Sequence, residues 1–354
     1  MSAGPAGSLL DVLVIGGGQA GLAMGYHLAQ SGRSFQIVDA GAEIGGTWRS
    51  RWDSLLLFTS GRYDSLPGLP FPAAPDTYPG KDDVASYLQA YAAEFKLPVR
   101  LNTKVTSLTR GGGGYAAKAG GEVLEARQVV VATGPFQVPF IPPIADALDQ
   151  GVHQIHSAHY RHPQGVPPGK VLVAGAANSG CQIAQELSAT HQVELSVGRR
   201  LPAIPQRPLG RDIWAWATAL RLDKVTADSR LGQRLAGRDQ VIGSGPRRLA
   251  RRHGIQIRPR AASAAGRTVT FADGSAAEFD AVVWATGFRT DHSWIDIPDA
   301  KDQRGHMRHT RGVTSSPGLY MLGLTWQYTR GSALLGWVGN DAAFLAGQIT
   351  AANR

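Results

Sequence analysis

Asp39 and the pair Arg199 and Arg200 are the residues whose chemistry splits this 354-residue chain into two tasks. A carboxylate accepts hydrogen bonds from ribose hydroxyls, whereas two guanidinium groups suit a 2'-phosphate. Each stands at the same remove from a hexad of small residues. Gly16-Gly17-Gly18-Gln19-Ala20-Gly21 opens 23 residues before Asp39, and Gly175-Ala176-Ala177-Asn178-Ser179-Gly180 opens 23 residues before Gly198, the residue preceding the arginines. Between a strand and a helix, such a hexad lets backbone approach a pyrophosphate at the helix N-terminus. The chain therefore reads as two dinucleotide sites. FAD comes first, on Gly16, Gly18, Gln19, Ala20, Gly21 and Asp39; NADPH comes second, on Gly175, Asn178, Ser179, Gly180, Arg199 and Arg200. The copies differ in one respect: Ala177 replaces the middle glycine, and alanine is small enough for the turn to tolerate.

Holding those hexads requires a strand over 9–15 and a helix over 22–30 in the first copy, then a strand over 171–173 and a helix from near Cys181 in the second. The strand that delivers Asp39 is 35–38. Residues 82–97 have helical spacing, with Val84, Leu88, Tyr91 and Phe95 on one stripe. Residues 104–124 read as a hairpin around 111–114, and 128–132 as a buried strand. Val129-Val130-Val131-Ala132-Thr133-Gly134 recurs as Ala281-Val282-Val283-Trp284-Ala285-Thr286-Gly287, each a buried strand ending in a glycine turn where the chain changes domain. The expected fold class is α/β, with two Rossmann-like dinucleotide-binding domains. The NADPH domain (139–286) is inserted into a discontinuous FAD domain (1–138 and 287–354), with Pro135, Pro139, Pro142 and Pro143 marking the boundary. A helical excursion is expected over about 202–252 and a last helix over 332–352. Trp214 and Trp216 are two apart and cannot share a helical face, so at most one meets a ligand or partner; core packing is the expected role.

Composition narrows the function further. At 43% hydrophobic residues the chain is long enough for two domains with a core each. No stretch has the apolar length to span a bilayer, and residues 1–8 carry no secretory signal, so a cytoplasmic location without a membrane partner is expected. The single cysteine excludes an internal disulfide and removes dithiol reductase chemistry, which passes electrons through a pair of thiols. Cys181 is expected to pack behind its glycine turn. The net charge of +9 is concentrated in 199–260, where fifteen Arg and Lys face Asp212, Asp223, Asp228 and Asp239. No nucleic-acid module accompanies that charge, so it reads as a field for a polyanionic cofactor or as a solvated face, not as a nucleic-acid partner site. The histidines are scattered and form no metal set.

Gly45-Gly46-Thr47-Trp48 and the linker Ile155-His156-Ser157-Ala158-His159-Tyr160-Arg161 join these motifs. Together with the hexads and the paired Ala-Thr-Gly turns, they make the chain resemble the class B flavoprotein monooxygenases, most of all the small bacterial flavin-containing type. The resemblance spans nearly the whole chain. It implies FAD contacts at Gly46, Thr47 and Trp48, where a loop closes on the flavin, and at Val105, Ala132, Thr133, Gly134 and Ser332. It implies NADPH contacts at Ala285, Thr286 and Gly287, and a domain-coupling role for His156 and Tyr160. By its own chemistry His156 reads as a hydrogen-bonded linker residue, because no carboxylate pairs with it at recognisable spacing.

The activity implied is hydride transfer from NADPH to FAD, addition of dioxygen at flavin C4a, and transfer of one oxygen atom to a small organic substrate. The hydroperoxide oxygenates thioethers and amines, and its deprotonated form attacks ketones. Phe58, Thr59 and Tyr160 are the catalytic candidates, with Tyr63, Trp326 and Tyr328 beside Thr59 in the pocket wall. Donors to the flavin pyrimidine edge are expected from backbone amides near Ser332, at the start of the last helix. There are departures from the family. Phe58 stands where many relatives place an Asn near the reactive flavin carbon, Tyr160 where Baeyer-Villiger enzymes have Trp, and the linker opens on Gln150 and an early Gly151. The rival readings are an NADPH oxidase or diaphorase that inserts no oxygen, and a non-catalytic nucleotide sensor or nucleic-acid binder that uses the basic region. A homodimer is left open.

Overall fold

The computed structural model describes residues 9–236 and 240–352, so residues 1–8 and Asp239 of the basic stretch lie outside the described part. Its largest sheet is built only from residues 10–131 and 295–321. Leu10–Ile15 lies between Phe35–Val38 and Glu122–Val131, parallel to both, and Leu319–Met321 extends the parallel set beyond Glu122–Val131. Val12, Leu13, Val14, Val129 and Val130 are fully buried, as expected of parallel strands covered on both faces. Helix Gln19–Gln30 packs against the closing helix Val338–Ala351.

The expected hairpin is present as Val105–Gly111 with Gly114–Ala119, but the buried strand at 128–132 is no separate element. It is the end of the ten-residue Glu122–Val131. As far as Ala126 that strand pairs antiparallel with Gly114–Ala119 and alternates between half-buried and exposed over its first four residues; from Gln128 on it lies in the parallel sheet and is buried. One strand thus serves two sheet types, and its hydrophobic pattern changes period midway.

A second, all-parallel sheet comes from the middle of the chain. Its order is Gln256–Pro259, Gln192–Val197, Lys170–Ala174, Ala281–Trp284 and His153–His156. A three-stranded antiparallel layer, Ala261–Ala265, Thr268–Phe271 and Ala276–Glu278, contributes to the core in which Phe271, Phe279 and Trp284 are buried. The two passages of chain between the sheets run side by side, because Val138–Pro139 pairs antiparallel with Phe288–Arg289.

Four helix boundaries differ from expectation, and the helix expected over 82–97 ends at Glu94, three residues short. The nucleotide-side helices start at Gln19 and Asn178, three residues early in each copy, because the hexads' own small residues form the first turn. The last helix starts late, at Val338: Ser332 lies instead in a single 3-10 turn, Arg330–Ala333. The excursion is broken into Ile213–Ala219, Arg230–Leu235 and Pro246–His253, with the short parallel pair Ala203–Ile204 and Val241–Ile242. In Pro246–His253 only Leu249 is buried, and Arg247, Arg251 and Arg252 are exposed.

Candidate functional site

The two hexads fold into near-identical grips. Gly16 and Gly175 have φ of +111° and +110°, and a Cβ on either would come under 3.0 Å from the carbonyl oxygen of Ala132 or Ala285 respectively. Those alanines are the matching residues of the two Ala-Thr-Gly turns, which is why each buried strand ends against a glycine. A Cβ on Gly21 or Gly180 would come under 3.0 Å from the carbonyl of Gly16 or Gly175, so helix and strand pack at backbone distance in both copies. The middle position is different. Gly18 and Ala177 are the helix N-caps, exposed, with φ of −78° and −79°, and neither offers a side-chain cap. A Cβ on Gly18 would meet nothing within 4 Å. First-turn amides with no side-chain acceptor, beside backbone kept clear of side chains, fit a pyrophosphate.

The acid and the arginines sit where the spacing puts them. Asp39 accepts from the Gly17 amide at 2.5 Å and the Gly41 amide at 2.7 Å, which fixes its carboxylate while leaving lone pairs for a ribose. Arg199 and Arg200 are exposed just beyond Gln192–Val197. The added feature is Arg260, whose Cγ lies 3.7 Å from a Cβ placed on Gly198; it is exposed beside them at the end of the neighbouring strand. Asn178 has a further duty: its Oδ1 accepts from the Ile242 amide at 2.9 Å and ties the excursion to the second grip.

The linker residues are structural ties. His156 Nδ1 accepts from the Ala158 amide at 3.1 Å, so Nε2 carries the proton and donates to the Gly287 carbonyl at 3.0 Å. Burial pushes its pKa down, only partly opposed by that bond to Gly287, and the ring is held neutral with both nitrogens occupied. Tyr160 is 1% exposed and donates to Glu186 Oε2 at 2.7 Å, on the helix Asn178–Leu187, so the structure places its hydroxyl on that helix. Thr286 donates to the Phe140 carbonyl, and Gln137 donates to Thr133 Oγ1 and the Gly134 carbonyl, each at 2.8 Å. Both Ala-Thr-Gly turns are thereby fixed to the crossing strands. Cys181 is 3% exposed with its thiol on the Ala176 carbonyl, and burial pushes its pKa up to about 12. Val105 is a core residue of the first sheet, and Trp48 lies half-buried in the one-turn helix Gly46–Arg49, where Thr47 is exposed.

An aromatic wall forms where segments 56–64, 206–216 and 328–337 meet. Phe58 stacks on Trp214 at 6.2 Å, Trp214 meets Trp337 at 4.8 Å, and Trp337 stacks on Tyr63 at 5.8 Å. Three successive carbonyls of the first segment are each met by a side chain from the second nucleotide unit: Leu56 by Gln182 of helix Asn178–Leu187, Leu57 by Gln206 and Phe58 by Trp214 of the excursion. Asp212 caps Ile213–Ala219 through the Trp214 amide and accepts from the Tyr78 hydroxyl at 3.0 Å. Trp214 is therefore buried in the junction, while Trp216 turns to the Pro208 carbonyl. Of the expected wall residues, Tyr63 is in it; Thr59 lies beneath, bonded to Asp64. Tyr328 stacks under Arg311 instead, and Trp326 has a buried, unpartnered Nε1. The Ser332 hydroxyl accepts from the Tyr328 and Thr329 amides, so it closes its own turn. Trp337 and Asp64 carry no motif in the sequence; only tertiary structure brings them in.

Among the described residues no group of three or more His, Cys, Asp or Glu is placed to hold a metal ion, and no helix is long and apolar enough to cross a membrane. A family model described as pyridine nucleotide-disulphide oxidoreductase matches residues 13–207. An uncharacterised CzcO-like oxidoreductase of Geobacillus kaustophilus is 47% identical over 342 residues, covering 96% of this chain and 98% of the other. A flavin-containing monooxygenase of Stenotrophomonas maltophilia, of known structure, is 31% identical with a TM-score of 0.80 over 98% of this chain and all of that one. The rice indole-3-pyruvate monooxygenase YUCCA4 is 28% identical over 88% of this chain and 82% of its own.

Proposed function

Given that this chain belongs to the pyridine nucleotide-disulphide oxidoreductase family, we propose that it is an NADPH-consuming flavoprotein monooxygenase acting on small uncharged acceptors, thioethers or amines. The chain is an oxidoreductase, and FAD and NADPH are its cofactors. The observation that carries the reading is the duplicated grip, acidic in one copy and arginine-flanked in the other, on a chain whose one thiol is buried. A disulfide reductase needs two thiols to pass electrons on. Cys181 has no partner thiol, and its raised pKa keeps it protonated.

A bound flavin would supply the redox chemistry, hydride acceptance and dioxygen activation. The chain supplies binding, orientation and dryness. Gly16, Gly18, Gly21 and Asp39 would hold the FAD diphosphate and ribose; Gly175, Gly180, Arg199 and Arg200 would hold NADPH. Phe58, Tyr63, Trp214 and Trp337 offer an apolar ring surface that would bound a substrate pocket and exclude water from it. His156, Tyr160 and Glu186 tie the linker to the second grip.

Oxidation of thioanisole tests the reading, with NADPH consumed, peroxide released and sulfoxide formed all measured. Sulfoxide in proportion to NADPH is expected. Full recovery of the electrons as peroxide would replace the oxygenase with an NADPH oxidase, the reading that Phe58, in place of an amide, favours.

A further inference from the structure

Asp64 is 0% exposed, and the proposed chemistry gives it no task. It ends the 3-10 turn Gly61–Tyr63, directly behind the segment that carries Phe58. One carboxyl oxygen, Oδ1, is bonded to Thr59 Oγ1. The other, Oδ2, is buried with no partner, and so is the Ser60 hydroxyl. Among the described residues no ion pair reaches it: the nearby cation Arg62 is paired with Asp76 at 3.8 Å. The groups facing it from other elements are not positive either. Asp212, from the excursion, adds negative charge, and Tyr87, from Lys81–Glu94, uses its hydroxyl on the Leu66 amide and the Leu69 carbonyl. A sealed carboxylate with a single donor and no cation lacks what a buried charge requires.

We infer that Asp64 is a positioning residue that holds a proton beneath the candidate substrate wall and sets the direction of the Thr59 hydroxyl. An ionised Asp64 only accepts, so Thr59 must donate to Oδ1 and its proton is spent inside the protein. A neutral Asp64 can place its proton on Oδ1 and donate to Thr59 Oγ1, which frees the Thr59 proton to turn toward the wall. The exchange moves one proton between Asp64 and solvent and forms or breaks no other bond. Burial, reinforced by Asp212 and opposed by Thr59, raises the carboxyl from its ordinary value to about 7, so both forms are populated near neutral pH.

The role in oxygenation rests on the proposed function, whereas the proton itself does not, and the test separates them. Infrared pH-difference spectra of the purified flavoprotein between pH 5 and 9 should show a protonated carboxyl band lost with a midpoint near 7. The band should be absent in Asp64→Asn and shifted in frequency in Thr59→Val. Product formed per NADPH consumed with thioanisole should show the same midpoint in the wild type and be flat with pH in Asp64→Asn. No band, or a band retained in Asp64→Asn, overturns the inference whatever the activity. A band with the expected behaviour and no product in any variant keeps the proton and discards the oxygenase. An unchanged pH profile of coupling in Asp64→Asn removes the positioning role. If Asp64→Asn does not fold, the wild-type band and its shift in Thr59→Val still decide.

Discussion

Replacing Gly18 with alanine separates the glycines that shape the protein from the one that leaves room for a ligand. At φ −78° and ψ −169° an alanine is unstrained, and its Cβ would meet no protein atom within 4 Å. Ala177 already has this conformation in the second grip. The N-cap preference for Gly over Ala, about 0.5–1 kcal/mol, is offset by about 0.4–1 kcal/mol of reduced unfolded-state entropy. Stability of the flavin-free protein should therefore change by less than about 1 kcal/mol. Gly21→Ala is the contrast, because its Cβ would overlap the Gly16 carbonyl and force the backbone apart, at a cost of about 3 kcal/mol or more. Affinity should follow a different order. A methyl group at position 18 holds the diphosphate off the first-turn amides, and each charge-assisted bond lost costs about 1.5–3 kcal/mol, or about 10- to 100-fold in Kd. Fluorescence titration of apoprotein with FAD, alongside urea unfolding of each variant, measures both. A Gly18→Ala protein that keeps the wild-type Kd, or one as unstable as Gly21→Ala, would refute the reasoning. The reverse change, Ala177→Gly, should tighten NADPH and leave FAD untouched.

Substituting Arg199 and Arg200 by Ser should raise KM for NADPH by about tenfold or more and leave KM for NADH nearly unchanged; equal changes in steady-state kinetics would detach them from the 2'-phosphate. Cys181, with its pKa near 12 against an ordinary 9.0, should react with a thiol reagent at pH 8 about a thousandfold more slowly than a free cysteine. One thiol per chain should appear promptly only in denaturant, and fast native labelling would contradict its burial. Trp214→Ala should lower stability by about 3 kcal/mol by removing its contacts with Phe58 and Trp337, whereas Trp214→Phe, which loses mainly the bond to the Phe58 carbonyl, should cost about 1 kcal/mol. Thermal unfolding with matched flavin occupancy compares them.

The strands at 10–15, 35–38 and 281–284 were legible because each is a short apolar run stopped by a glycine or an acid, and such stops are local chemistry. The grips were legible for the same reason, down to the middle position that separates Gly18 from Ala177. Helix starts were not: Gln19 and Asn178 look like turn residues, and only the packing of Gly21 on Gly16 and Gly180 on Gly175 shows that the turn is already helical. Glu122–Val131 hid its length by changing period where it leaves one sheet type for the other. The wall was the least visible part. Tyr63, Trp214 and Trp337 come from three distant segments with no shared spacing, and Asp64 is distinguished only by what surrounds it. Tyr160 was seen for its position in a linker, but its phenol is aimed at Glu186, a residue no motif singles out.

The side-by-side passage of Val138–Pro139 and Phe288–Arg289 has a mechanical consequence. Two separate tethers would let one half of the molecule tumble about the other, but a laddered pair bends as one ribbon and so gives any swing a single axle.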